Sequence, residues 1–193
     1  MVLRCAALRC AGPGPGPGRC GIGFDPGRAV GYIGSYVWVI RQKLGSRLLL
    51  VPGAQVMVLN ERGECLFQRR RDTGAWEFPA GACEEGSTFA GTAIEELKEE
   101  TGLSVQPEDL IPFGSLSDPA VHIVRYPNGD LTHCFAMCFA THRWTGEVRP
   151  EEEEVVEAAF FPRDRPPQPL HPPTRVVLDM YREFVATGRF QAR

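Results

Sequence analysis

Four glutamates that lie close together in one predicted helix are the residues of this chain best suited to chemistry. At about 100° per residue, Glu96, Glu99 and Glu100 fall within an arc of about 100°, and Glu95 lies about 40° further out. Like charges four residues apart destabilise a helix, whereas Mg²⁺ binds carboxylate oxygens together with waters and substrate phosphates. The spacing therefore indicates a divalent-metal site for a polyphosphate, with a solvated acidic face as the alternative.

The helix that carries these carboxylates is predicted over 87–101. Either Ser87 or Thr88 can cap its first turn, because both side chains can accept a hydrogen bond from a backbone N–H. Its apolar residues form a single stripe, which we expect to face the core: Phe89, Ala90, Ala93, Ile94 and Leu97. The carboxylates are thus predicted at the border of a buried helix face.

Other helices and strands must hold this helix in place. Predicted helices lie at 32–44, 87–101 and 174–187. Predicted strands lie at 48–60, 64–69, 111–116, 121–126, 131–142 and 155–161, with an extended piece at 76–79. Turn residues at 61–63 and 127–130 join the strands on either side into hairpins. This order of elements predicts a mixed sheet covered by helices.

Composition limits the class of protein. The chain has 193 residues and a net charge of −3, which suits one soluble domain and argues against a general nucleic-acid binder. No apolar run approaches the ~18 residues of a membrane span, and we identify no secretory signal. We therefore expect a cytoplasmic protein. Residues 1–28 form a Gly/Pro-rich segment predicted to be a flexible tail, 29–48 a lead-in with the first helix, and 49–190 the main domain.

The segment 81–103 resembles the Nudix box, G-x5-E-x7-R-E-U-x-E-E-x-G-U, in which U is a bulky aliphatic residue. The residues that match in register are Gly81, Glu96, Leu97, Glu99, Glu100, Gly102 and Leu103. The flanking segment Trp76–Gly81 resembles the W-x-x-P-G-G of the family, and Gln68–Arg71 resembles the end of the preceding strand. The resemblance covers roughly 50–190. It implies an α/β (α+β) fold, namely an α/β/α sandwich with a mixed β-sheet.

The resemblance also implies roles for individual residues. Glu96, Glu99 and Glu100 match the metal-binding glutamates of the family, and all three count as catalytic. Ala80 stands at a glycine whose backbone carbonyl contacts the metal, a contact that does not require glycine. The expected cofactor is Mg²⁺, with Mn²⁺ as the alternative, and the metal would neutralise the phosphates and acidify the attacking water.

Two positions depart from the box. Ser87 replaces the first glutamate, and Glu95 replaces the arginine that helps to neutralise the neighbouring carboxylates. An added carboxylate can raise the pKa of Glu96 or Glu99, because a like charge disfavours ionisation. A metal-binding helix with weakened catalysis is therefore an alternative to an efficient enzyme.

Two further groups are candidates for catalysis and binding. Glu154 or Glu157 could act as the general base that takes a proton from water, with Glu154 the preferred choice. Arg69, Arg70 and Arg71 could bind phosphate oxygens through their forked donors, and strand register decides which of them points inward.

The expected activity is hydrolysis of a phosphoanhydride bond in a nucleoside di- or triphosphate, or in a nucleoside diphosphate linked to another group. The partner is then a small nucleotide-type molecule, with no membrane and no nucleic acid, and a homodimer is an open alternative. A rival hypothesis is an inactive nucleotide-binding module on the same fold. A third is a metal-independent protein-docking domain. Trp76, Phe135 and Phe139 could stack on a base, but core packing is the default explanation for all three.

Overall fold

The computed structural model describes residues 34–126 and 128–193. The predicted tail at 1–28, and residues 29–33 of the predicted lead-in, lie outside the described residues. The helices are α1 (Tyr36–Leu44), α2 (Phe89–Thr101), α3 (Pro119–His122) and α4 (Pro172–Thr187). The strands are β1 (Leu49–Val58), β2 (Cys65–Arg70), β3 (Trp76–Glu77), β4 (Ala80–Ala82), β5 (Ile111–Leu116), β6 (Ile123–Arg125), β7 (Leu131–Thr141), β8 (Val155–Phe161) and β9 (Gln191–Ala192).

The larger sheet is mixed, as predicted. Its strand order is β4-β1-β7-β5-β9, and β6 also pairs with β7. The long strands β1 and β7 run parallel over ten residue pairs, from Leu49 opposite Thr132 to Val58 opposite Thr141. β4 and β5 add antiparallel strands on either side. The edge position of β4 matters for the site, because one side of its backbone is left to meet α2.

A second sheet has the order β3-β2-β8. The prediction that β1 and β2 form a simple hairpin is therefore wrong. The chain does turn there, with the amide of Asn60 donating to the carbonyl of Glu64 at 3.0 Å, and Leu59 and Cys65 form an isolated bridge. Beyond the turn, β2 pairs with β8 and β3 instead. The predicted hairpin around 127–130 is confirmed, because β6 and β7 pair antiparallel.

Helices cover both faces of the sheets, which confirms the α/β/α sandwich. Successive side chains of a strand point to opposite faces. Val56 of β1 accordingly packs with Leu97 of α2, whereas the adjacent Met57 packs with Met180 of α4. Val37 of α1 extends the cover over the start of β1. Among the described residues, no helix is long and apolar enough to cross a membrane.

Candidate active site

Helix α2 has well-defined ends. The hydroxyl oxygen of Thr88 accepts a hydrogen bond from the amide of Gly91 at 3.0 Å and caps the first turn. Of the two predicted caps, Thr88 is therefore the one used, while the amide of Ser87 donates to the carbonyl of Glu84 in the preceding turn. Gly102 ends the helix with φ 78°, a left-handed conformation that favours glycine. The face that meets the sheet is the one with the buried Ala93 and Leu97.

Glu96 lies directly over Gly81 of β4. A Cβ atom placed on Gly81 would stand 1.7 Å from Oε1 of Glu96 and 1.9 Å from its Cδ. Real side chains do not approach so closely, so the carboxylate occupies space that only a glycine leaves free. This contact explains physically why the loop before the helix needs glycine at position 81. It also places the Glu96 carboxylate close to the strand backbone.

Glu100 lies next to the preceding residue of the same strand. Its Oε2 accepts a hydrogen bond from the amide of Ala80 at 3.0 Å, and the residue is only 3% exposed. Ala80 lies opposite Gln55 of β1. The next pair along the two strands is hydrogen-bonded, because the amide of Val56 donates to the carbonyl of Pro79. Since such pairs alternate in antiparallel strands, Gln55 and Ala80 form a non-hydrogen-bonded pair. At such a position the amide and the carbonyl both point away from the neighbouring strand. The carbonyl of Ala80 therefore points to the side on which Glu100 lies.

The environment of Glu100 is negative. Burial raises its pKa well above the ordinary value, and the nearby carboxylates of Glu96 and Glu77 raise it further. The amide groups of Gln68 and Ala80 act in the opposite direction, and none of these groups is cationic. The carboxylates of Glu96 and Glu100 thus lie close together beside the Ala80 carbonyl, and no cationic side chain is among the groups that shift the pKa of Glu100. Such a group of oxygen atoms suits a hard divalent ion.

The glutamates alone do not form a complete metal cage. Within residues 34–126 and 128–193, no three His, Cys, Asp or Glu side chains are arranged as a preformed metal-binding group. Mg²⁺ commonly takes only one or two carboxylates and fills its other positions with water and substrate phosphates. Glu96, Glu100 and the Ala80 carbonyl fit that pattern, and the half-exposed Glu99 lies on the same helix at the solvent side.

Glu95 is exposed to solvent. A carboxylate at such a position is screened by water. Its effect on the pKa of Glu96 or Glu99 stays a prediction.

The three arginines at the end of β2 are placed differently from one another. Arg70 is buried, with its guanidinium 2.6 Å from Asp72 and 2.9 Å from Glu77, which favours a structural role for it. Arg69 alternates with Gln68 and faces the other side of the sheet, where Glu157 lies at 4.0 Å. The substrate-binding role of these arginines stays a prediction.

Arg71 connects the site to the acidic loop that precedes β8. Its amide donates to the carbonyl of Glu154 at 2.8 Å, and its Nε donates to the carbonyl of Glu152 at 2.9 Å. The amide of Glu151 in turn donates to the carbonyl of Glu100 at 3.1 Å. The loop that carries Glu154 is thus attached to the end of α2, whereas Glu157 faces away from Gln68.

Sequence reasoning missed the buried residue Glu77. Its Oε1 accepts a hydrogen bond from Arg70 at 2.9 Å, and its Oε2 lies 3.3 Å from Nδ1 of His171. Burial alone would raise the pKa of Glu77, but Arg70 and His171 lower it below its ordinary value. The sequence did offer one sign that Glu77 is buried, because it stands between two apolar strand residues, Trp76 and Phe78. The aromatic candidates Trp76 and Phe139 are buried in the core, as core packing predicts, but for Phe135 that expectation is wrong, because its side chain is exposed.

A pocket opens beside these carboxylates, on the face of the larger sheet that also carries α1 and α4. It is small, with about 40 Å³ of space, which is room for a few water molecules. It shares Glu77, Ala80 and Gly81 with the acidic site.

Comparison with known proteins agrees with this geometry. The model of the NUDIX domain matches residues 49–181. This chain belongs to the Nudix family. The human 8-oxo-dGDP phosphatase NUDT18 is 30% identical over 141 residues, which cover 70% of this chain and 38% of that protein. An RNA pyrophosphohydrolase of Marinomonas sp. (strain MWYL1) is 37% identical over 60 residues, which cover 31% of this chain and 37% of that protein. This Nudix chain thus spans less than half the length of these relatives.

A solved structure supports the fold of this Nudix chain. The MutT NUDIX hydrolase from Burkholderia pseudomallei superposes with a TM-score of 0.54 at 22% identity. The match covers 68% of this chain and 98% of the other. At this identity the likeness concerns the fold alone, and the fold it shows is the predicted MutT-like one.

Proposed function

We propose that this protein is a Mg²⁺-dependent hydrolase that cleaves a phosphoanhydride bond in a nucleotide-type substrate. The observation that carries the proposal is the pairing of Glu96 and Glu100 at the edge of β4. Glu96 lies over Gly81, Glu100 is held by the Ala80 amide, and the carbonyl of Ala80 points toward the same space. The names of the relatives, which include a pyrophosphohydrolase and a phosphatase, support the same class of reaction.

The reaction needs a water nucleophile, a base and neutralisation of the phosphates. A bound Mg²⁺ would supply charge neutralisation and a more acidic water. In the proposed reaction, the water oxygen bonds to phosphorus, the bond to the bridging oxygen breaks, and the water proton passes to a carboxylate. We assign that base role to Glu154, because its loop is attached to both Arg71 and Glu100 through backbone hydrogen bonds. Arg71 is the arginine best placed to contact phosphate oxygens from this side.

The test is a panel of nucleoside di- and triphosphates and linked nucleoside diphosphates, each incubated with Mg²⁺ or Mn²⁺. We expect the release of phosphate, pyrophosphate or a nucleoside monophosphate, separated by ion-exchange chromatography. We also expect Glu99→Gln and Glu100→Gln to abolish the release, since each removes a metal-directed carboxylate. Turnover that both substitutions leave unchanged would refute the proposal. The cytoplasmic location and the homodimer stay predictions.

Glu95 favours a second candidate function, a nucleotide-binding module with little or no catalysis. The Nudix box has arginine at this position, and the exposed Glu95 cannot replace its positive charge. This candidate predicts ligand binding by calorimetry without turnover under either metal. The double variant Ser87→Glu, Glu95→Arg discriminates between the two functions. A large gain in rate would favour a decayed enzyme, and an unchanged rate in an active wild type would favour the first proposal.

A further inference from the structure

Gln68 is a polar side chain in the interior of the second sheet. It follows the fully buried Phe67 in β2, and it is itself only 1% exposed. It lies opposite Glu77 of β3 on one side and opposite Ala158 of β8 on the other. Burial of an amide costs free energy unless its hydrogen bonds are made. The partners of this side chain therefore decide what it does there.

The amide group of Gln68 reaches the carboxylate of Glu100, and the two side chains are hydrogen-bonded. An ionised carboxylate can only accept, so Nε2 of Gln68 is the donor. The amide of Ala80 donates to Oε2 of the same carboxylate at 3.0 Å. Glu100 is thus held by one donor from each sheet, namely Ala80 of β4 and Gln68 of β2.

The acid that lies opposite Gln68 has partners of its own. Oε1 of Glu77 accepts a hydrogen bond from Arg70 at 2.9 Å, and its Oε2 lies 3.3 Å from Nδ1 of His171. Both oxygens of Glu77 are therefore provided for without Gln68. The donor of Gln68 serves Glu100 instead.

The other end of the Gln68 amide gains nothing from its position. Its Oε1 is buried, and no residue that the structure describes gives it a hydrogen bond. A buried acceptor without a partner lowers stability, and an apolar side chain of similar length would fill the same space without that cost. The contribution of Gln68 therefore lies at its Nε2, where it meets Glu100.

A donor on a metal-binding carboxylate controls how that carboxylate meets the ion. Glu100 is buried beside the like charge of Glu96, so little water is available to orient it. Two donors from different sheets hold the carboxylate in one orientation and leave its remaining lone pairs for an ion. Removal of such an outer partner typically weakens metal binding by about 10- to 100-fold.

We propose that Gln68 is a positioning residue, whose Nε2 holds the Glu100 carboxylate in the orientation that binds the divalent ion. The inference rests on the proposed function, because it takes Glu100 as a metal ligand. It gives the second sheet a part in the metal site, since β2 orients a side chain that α2 supplies. Gln68 acts through Glu100, so its removal should weaken metal binding more than it slows the reaction at saturating metal.

The experiment compares the binding of Mn²⁺ alone to the full chain and to its variant Gln68→Met. Methionine keeps the length of the side chain but has no donor. Free Mn²⁺ is measured by its electron paramagnetic resonance signal. We expect the dissociation constant of Mn²⁺ to rise about tenfold or more in the variant. An unchanged dissociation constant, or a wild type that binds no Mn²⁺, would overturn the inference.

Turnover supplies a readout that a merely structural role would not move. The Mg²⁺ concentration at half-maximal rate should rise about tenfold in Gln68→Met, while the rate at saturating Mg²⁺ stays close to that of the wild type. A lower maximal rate at an unchanged half-maximal concentration would contradict the positioning role. If Gln68→Met does not unfold cooperatively, Gln68→Asn takes its place, because asparagine keeps an amide in the sheet and withdraws it from Glu100 by one methylene.

Gln55→Met is the matched control. Gln55 is another buried glutamine in a strand, at 7% exposed, but its Nε2 donates to Sγ of Cys138 at 3.4 Å. The same substitution there removes a donor that does not meet a carboxylate, so the dissociation constant of Mn²⁺ should stay unchanged. An equal rise in the two variants would contradict the assignment.

The outcome is separable from that of the proposed function. If the wild type hydrolyses nucleotides with Mg²⁺ and Gln68→Met binds Mn²⁺ as tightly as the wild type, the hydrolase stands and the inference about Gln68 fails. If Mn²⁺ binding weakens as predicted and the wild type hydrolyses no nucleotide, the inference about Gln68 stands and the hydrolase fails.

Discussion

Substitution of Gly81 by alanine tests the contact on which the site is built. The new Cβ would stand 1.7 Å from Oε1 of Glu96, and ordinary contacts begin at 3.4 Å. The carboxylate must therefore withdraw by about 1.7 Å from its place over the strand. Because Glu96 is a flexible and half-exposed side chain, it can move without disturbing the core, and we expect the melting temperature without metal to change little.

The effect on activity should be much larger. Misplacement of a reacting group by about 1 Å can cost about 100-fold in rate. We therefore expect Gly81→Ala to lower kcat/KM with Mg²⁺ by about 100-fold and to reduce the rise in melting temperature that Mg²⁺ produces. The assays are nucleotide turnover and thermal unfolding, with and without metal.

Gly91→Ala is the control for this prediction. Gly91 lies in α2, and a Cβ there meets only the Thr88 hydroxyl, at 3.2 Å. Alanine in a helix interior is favoured over glycine by about 0.5–1 kcal/mol, so this variant should keep its activity and lose no stability. Wild-type activity in Gly81→Ala, or an equal loss in Gly91→Ala, would refute the reasoning.

Further predictions concern the buried charges. Glu100→Gln should raise the free energy of unfolding without metal at neutral pH by about 1 kcal/mol. The pKa of Glu100 is raised in the folded state, so the wild type loses stability as pH rises above the ordinary glutamate value. The advantage of the variant should therefore disappear in acid, and a pH-independent difference in urea unfolding would contradict this cause. Arg70→Ala should cost about 3–5 kcal/mol because it leaves the Glu77 carboxylate buried beside His171 alone. Arg71→Ala should cost less than about 1 kcal/mol, and equal costs for the two arginines would argue against the buried network. Since metal binding requires the ionised Glu100 carboxylate, the affinity for Mg²⁺ should rise with pH, and a flat calorimetric profile would contradict that expectation.

The parts of the fold that could be predicted from sequence are those with long periodic patterns. Strand β8 matches its predicted bounds, and α2 and α4 lie within two residues of theirs. The three-residue strand β4 and the two-residue strand β3 carry no period, and they are defined only by their pairing with β1 and β2. The separation of β1 and β2 into different sheets likewise depends on β8, about 90 residues along the chain from β2.

The acidic site was predictable only in part. Helical geometry brings Glu96, Glu99 and Glu100 to one edge, but nothing in that geometry shows that Glu100 is buried against Ala80. The contact between Glu77 and His171 joins residues 94 positions apart, so only the folded chain reveals it. The face of the sheet to which Arg69 points depends on strand register, because a shift of one residue moves each side chain to the opposite face.

The most direct test of the central claim is Mg²⁺-dependent turnover of a hydrolysable nucleotide by the wild type and by Glu100→Gln, measured side by side. Both proteins should be folded, and the variant should be at least as stable without metal. The account predicts that the wild type releases a nucleoside monophosphate only when Mg²⁺ or Mn²⁺ is added, and that the variant releases none. Equal release by the two proteins, or release by the wild type in the presence of a chelator, would contradict it.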